Sequence, residues 1–142
     1  GMEILFLLMQ PKHDRNTTGL VRQAMEEPSY LLDTATTPRE LMAVLGEAEL
    51  CVAMRLHTLI FAARMAVPCI GLVYDPKVES YLQELDMPSA GFDREEAIAC
   101  ADRMMADYEG NLVRLRQKSE ALAKAALRNE ELLLELLKQT KG

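Results

Sequence analysis

Tryptophan is absent, phenylalanine occurs three times and tyrosine four, so aromatic residues make up 5% of a chain of 142 residues. No basic run interleaves with these few rings, and the formal net charge is −6, so the field of the chain repels nucleic acid. Cysteine is scarce too. Cys51, Cys69 and Cys100 are odd in number and lack CxxC spacing, which excludes a disulfide framework and points to buried free thiols in a reducing cytosol. No apolar stretch reaches the length of a membrane span; the run from Ile4 to Met9 has strand length. Also missing are GxGxxG, a Walker loop, HExxH and GxSxG, so dinucleotide, P-loop, zinc-protease and serine-hydrolase readings lack their residues.

What is present reads as one soluble α/β domain over residues 2–142, with alternating strands and helices in 2–93 and helices in 94–142. "EILFLLMQ" is a continuous apolar run that ends in the polar stretch "PKHDRN", predicted as a loop. "TGLVRQAMEE" predicts a helix closed by Pro28, and "SYLLDTAT" a second strand. "TTPREL" is a helix start, with Thr37 as N-cap, Pro38 at the first position and Glu40 three residues after the cap. "LCVAMR" predicts a third strand, the stretch from Thr58 to Met65 a buried helix, "CIGLVY" a fourth strand and "DPKVESYLQELDM" another helix. "SAGFD" reads as a short edge strand. Unbroken apolar strands alternating with helices predict a doubly wound, Rossmann-like parallel sheet, buried on both faces.

The tail has a different rhythm. Ile98, Met105, Leu112, Ala126 and Leu133 are spaced by multiples of seven, and Gly110-Asn111 predicts a helix stop and a new start. Such helices pack on their own sheet or, through "LRNEELLLELLK", on another domain or a second copy; a homodimer through these helices is one expectation.

Ligands of open α/β sheets bind beyond the carboxyl ends of the strands. Three corners qualify. Gln10, Lys12, His13 and Asp14 follow the first strand, Arg55 and His57 the third, and Asp75 and Lys77 the fourth. If the third and fourth strands flank the first, all three open on one crevice. Arg55 offers a planar fork of donors suited to a carboxylate or phosphate. His57 would stand at the N-terminus of the "TLIFAARM" helix, where backbone amides from about His57 to Leu59 favour an anion and an imidazole can deliver a proton near neutral pH. The bland alternative pairs Arg55 with a carboxylate and makes His57 a cap. No metal-ligand cluster is evident.

"MRLHTLIFAARMAVPCIGLVYDPKVESYLQELDMP" resembles the polysaccharide pyruvyl transferases, especially the bacterial cell-wall type. Arg55, Leu56, His57, Pro68, Tyr74, Asp75, Pro76, Lys77 and Val78 carry the likeness, and the ends of the chain look like the ends of the same domain. The resemblance implies the C-terminal half of a glycosyltransferase-B arrangement, with a missing N-terminal domain and no activity for this half alone. It also implies a cytoplasmic transferase that moves the pyruvyl group of phosphoenolpyruvate onto a polysaccharide or lipid-linked glycan as a ketal, releasing phosphate. On that basis His57 is the candidate catalytic acid, and Arg55, His57, Lys77 and Asp75 are the candidate substrate contacts. No metal and no cofactor beyond the donor substrate are expected. Two other classes compete: a nucleotide-sugar glycosyltransferase or epimerase domain, and a non-catalytic binding module of the same fold. Titration with phosphoenolpyruvate and with nucleotide sugars separates them.

Overall fold

A computed structural model describes residues 2–34 and 37–139. Among them the chain order is β1 (Ile4–Leu7), α1 (Pro11–Ala24), β2 (Ser29–Leu32), α2 (Pro38–Leu45), β3 (Cys51–Ala53) and α3 (Leu56–Arg64). There follow β4 (Cys69–Leu72), α4 (Pro76–Leu85), β5 (Ser89–Ala90), α5 (Arg94–Ala106) and α6 (Tyr108–Gln139). Every strand pairing is parallel, as the alternation predicts, and the α/β class is compatible with a Rossmann-like fold. The single sheet expected from the sequence is instead two ladders, β1-β2 and β3-β4-β5. Hydrophobic runs identify strands but do not say which edges meet, so this difference was invisible in the pattern.

The chain divides into two compact units, residues 1–43 and 44–142. In the first, β1 pairs with β2 from Ile4 opposite Ser29 to Leu7 opposite Leu32. The stretch "PKHDRN" is not a loop but the opening of α1. Pro11 takes the first helical position, where its missing N–H costs nothing. Asp14 Oδ2 accepts the Gln10 amide at 2.9 Å, and the Gln10 carbonyl accepts the amides of His13 and Asp14. Lys12 and His13 therefore sit in the first turn of a helix. Arg22 fastens α1 to β2 through Ser29, donating to its Oγ at 3.0 Å and its carbonyl at 2.8 Å. The capping box at α2 forms as read: the Thr37 amide donates to Glu40 Oε2 at 2.9 Å, and the Glu40 amide to Thr37 Oγ1 at 3.2 Å.

In the second unit, β4 lies between β3 and β5. Both crossovers step the same way along the sheet, so right-handed connection places α3 and α4 on one face. They pack on each other and on α6, while α5 packs on β4 and β5. Leu59, Ala62 and Ala63 of α3, Ile70 of β4, Val78, Leu82 and Leu85 of α4, Met104 of α5 and Leu115 of α6 are buried together in this unit's core. The helix of residues 56–64 ends without glycine. Ala66 adopts φ 58°, and the Val67 amide reaches back to the Ala62 carbonyl at 2.9 Å. This is a Schellman closure with an alanine where glycine is usual.

The tail breaks at Asp107, not at Gly110-Asn111, which lie inside α6. A Cβ at Gly110 would meet the Asp107 carboxylate, which is exposed and would have to swing aside. Asn111 is buried and donates its side-chain amide to the Met104 carbonyl at 3.0 Å, and Arg114 binds Asp107 at 2.9 Å. Beyond Ala123 every described residue of α6 is exposed. No helix among the described residues is long and apolar enough to cross a membrane.

Two substitutions test this packing. A Cβ at Gly71 would run into the side chain of Leu82, which is 1% exposed and has nowhere to retreat. Gly71→Ala should lower stability by about 1–3 kcal/mol. Ala66→Gly removes left-handed strain and should raise it by roughly 1 kcal/mol. Urea unfolding checks both, and an unchanged midpoint in Gly71→Ala would refute the close approach.

Candidate functional site

Cys51 pairs with Cys69, Val52 with Ile70 and Ala53 with Gly71, and Leu72 of β4 pairs in turn with Ala90 of β5. Parallel strands end on one side, so the corners after β3, β4 and β5 share the carboxyl edge of this sheet. Each corner opens a helix. Arg55 and His57 start α3, Asp75 and Lys77 start α4, and Asp93 starts α5.

The three helix mouths differ in chemistry. At α4, Asp75 Oδ1 accepts the Lys77 amide at 2.9 Å and the Asp75 carbonyl accepts the Val78 amide at 3.0 Å. At α5, Asp93 Oδ1 accepts the Glu96 amide at 2.9 Å, and Glu96 Oε2 accepts the Gly91 amide at 2.9 Å. Both mouths are closed by carboxylates of the chain itself. At α3 the N-cap position is Arg55, in extended backbone (φ −95°, ψ 126°), and its own side chain makes no cap hydrogen bond. An arginine there cannot accept a hydrogen bond. The Arg55 carbonyl accepts the amides of Thr58 at 3.0 Å and Leu59 at 3.3 Å. The amides of Leu56 and His57 are thus the ones this helix terminus presents, a narrower set than the expected His57 to Leu59.

β3 ends at Ala53, before Arg55, and His57 lies in the first turn of α3, as the apolar runs predict. Arg55 is half-buried, whereas His57 and Lys77 are exposed. Thr58 and Leu59, the next residues of α3, are buried and hold that turn against the core. Asp75 is bound into the cap of α4 through one oxygen, which leaves its other oxygen for any substrate contact. Lys12 and His13 belong to the other compact unit. Phe92 was not singled out by the sequence, although "SAGFD" has the same strand-then-aspartate form as "CIGLVYD". It lies at this edge and is among the most exposed of the large apolar side chains.

The cysteines stand apart from this chemistry. Cys51 and Cys69 open β3 and β4 at the opposite edge, and both are buried. Burial pushes the Cys51 thiol from 9.0 up to about 11. Burial, reinforced by neighbouring Cys51, pushes Cys69 up to about 12. Neither is a thiolate near neutral pH, so neither is a nucleophile there. Burial, with Cys69 and Glu84 nearby, also pushes the Tyr81 phenol up to about 12. Among the described residues, no three of His, Cys, Asp and Glu gather closely enough to hold a metal ion.

These shifts fix the sign of a pH effect. Unfolded thiols ionise at 9.0 while the folded ones stay protonated to about 11 and 12, so the stabilisation is complete below pH 9 and falls as pH rises towards 12. Cys51→Ala with Cys69→Ala should flatten part of that decline, leaving the share due to Tyr81. Urea midpoints compared below pH 9 and between pH 9 and 11 decide it; an equal decline in the double variant would refute the assignment.

The family model described as polysaccharide pyruvyl transferase matches residues 1–76. The match takes in the Arg55-Leu56-His57 corner and stops at Pro76, one residue short of Lys77. It is shorter than the nearly whole-chain likeness expected from the sequence. No solved structure matches the chain.

Proposed function

Because the chain belongs to the polysaccharide pyruvyl transferase family, we propose that the α3 mouth holds the phosphate and carboxylate of phosphoenolpyruvate. One observation carries the reading. Of the three helix mouths on this edge, α3 is the one whose N-cap residue is no carboxylate, and it is furnished instead with a guanidinium and an imidazole. A helix terminus with two amides and an adjacent Arg favours an anion.

The chemistry asked of these residues follows from the donor. The enol CH2 of phosphoenolpyruvate takes up a proton and becomes a methyl group. C2 then carries positive character, and a sugar hydroxyl adds to it. The C2–O bond to phosphate breaks with both electrons leaving on oxygen, and a second hydroxyl of the same sugar adds to C2. The products are a cyclic ketal and inorganic phosphate; of the two hydroxyl protons, one balances that taken up by the CH2 and the other leaves with phosphate. Arg55 pairs with the anionic groups through its fork, which steadies the charge gathering on the leaving phosphate. His57, in the first turn, serves as general acid for the CH2 carbon or for the departing oxygen. Lys77 supplies a second positive charge from the neighbouring corner, and Asp75 a contact to the acceptor through its uncommitted oxygen. The cell-wall polysaccharide, the glycosyltransferase-B partner domain and a cytoplasmic setting belong to the same proposal.

In the full-length enzyme, Arg55→Lys keeps the charge but loses the bidentate fork, and should weaken phosphoenolpyruvate binding roughly tenfold or more. His57→Gln keeps a hydrogen-bonding group without the titratable proton, and should lower turnover by roughly 10²-fold with a modest change in binding. Calorimetric titration with phosphoenolpyruvate and phosphate-release kinetics measure the two effects. Turnover preserved in His57→Gln would remove it as the acid, and tighter binding of a nucleotide sugar than of phosphoenolpyruvate would overturn the donor assignment.

A further inference from the structure

The α3 mouth accounts for a donor, and Asp75 alone gives the acceptor sugar a contact but no surface for its ring. Two aromatic side chains stand bare at the same sheet edge: Tyr74 is 58% exposed and Phe92 68% exposed. The chain has only three phenylalanines and four tyrosines, so two of them bare at one sheet edge are a large share of its rings. Phenylalanine has no polar atom that hydration could reward.

Their placement follows from register. Leu72 pairs with Ala90, and the Val73 amide continues the ladder to the Ala90 carbonyl at 2.9 Å. Tyr74 and Phe92 each stand two residues past that pair, on strands about 4.8 Å apart. On the other flank, Ala53 pairs with Gly71, and β3 gives way to α3 at Leu56, with Arg55 as its N-cap. Tyr74 and Phe92 thus follow neighbouring strands by equal steps, on the edge that also carries the α3 mouth. The backbone beneath the rings is pinned. Asp75 and Asp93, next to each ring, cap α4 and α5, and the Gly91 amide is held by Glu96. Rings on fixed backbone lose little freedom when a ligand settles on them.

We propose that Tyr74 and Phe92 form a stacking platform for the acceptor's sugar ring, an assignment that rests on the pyruvyl-transfer reading. An aromatic face carries negative charge density, which repels phosphate and carboxylate and attracts the slightly positive C–H face of a pyranose. The platform therefore suits the neutral acceptor rather than the multiply anionic donor. Donor at the β3 corner and acceptor across the β4 and β5 corners would lie side by side, as transfer requires.

Phe92→Ala and Tyr74→Ala should each raise the acceptor KM by roughly tenfold, with the phosphoenolpyruvate KM unchanged. Phe92→Trp should restore the acceptor KM, and Phe92→Leu, apolar but without a π face, should not. An unchanged acceptor KM in Phe92→Ala, an equal rise in both KM values, or full rescue by leucine overturns the platform. Titration with uncharged oligosaccharides released from bacterial cell-wall polysaccharide, followed on the ring protons by NMR, separates this inference from its premise. Ring shifts that vanish in Phe92→Ala uphold the platform even if no pyruvyl transfer occurs. Donor turnover with unmoved rings upholds the pyruvyl reading and removes the platform.

Discussion

The register of β4 against its neighbours is the constraint on which the second unit depends. Ala53 opposite Gly71 and Leu72 opposite Ala90 decide which residue of each corner stands beside which. A slip of one residue would bring Ile70 to the place where Gly71 meets Leu82, and no side chain fits there. The missing Cβ of Gly71 thus does more than admit a helix. It locks α4 to β4, and with it the offset between the start of α3 and the start of α4.

That offset has an electrostatic result. Three helices present their positive ends along one edge, and two of these ends are neutralised from within by Asp75 and Asp93. The capping carboxylates do more than finish their helices, because they also repel any second anion from the neighbouring corners. On the phosphoenolpyruvate proposal, the anion settles at α3 because the capping carboxylates of α4 and α5 flank it with negative charge. Selectivity for position then comes as much from those two capped helices as from α3 itself.

Much of this was legible in the chain because the relevant signals are local. Thr37-Pro38-x-Glu40 makes its capping box from residues within one turn, and the strand-then-helix switch around Arg55 follows from the change from "CVAM" to "TLIFAARM". What escaped was non-local or sterically subtle. The opening of α1 hid behind polar residues, since Pro11 and Asp14 suit a loop and a helix start equally. A glycine signals a helix stop in the tail, yet the break falls at Asp107 and Gly110 continues α6. The division into two ladders depends on which strand edges pair, and composition carries no record of that. At the candidate site, Arg55, His57, Asp75 and Lys77 were visible as types at corners, but the contrast between N-cap side chains that make cap hydrogen bonds and one that does not needed coordinates.

The outer half of α6 carries Leu127, Leu132, Leu133 and Leu134 already in contact with water in the folded protomer. Half-hydrated side chains of this kind give up less new apolar surface than buried ones when the chain unfolds. The heat-capacity increment and the denaturant m-value scale with surface newly exposed rather than with chain length. The protomer should therefore resemble a smaller protein in calorimetry than its 142 residues suggest. Its stability curve would be correspondingly flat, changing gently with temperature on both sides of its maximum.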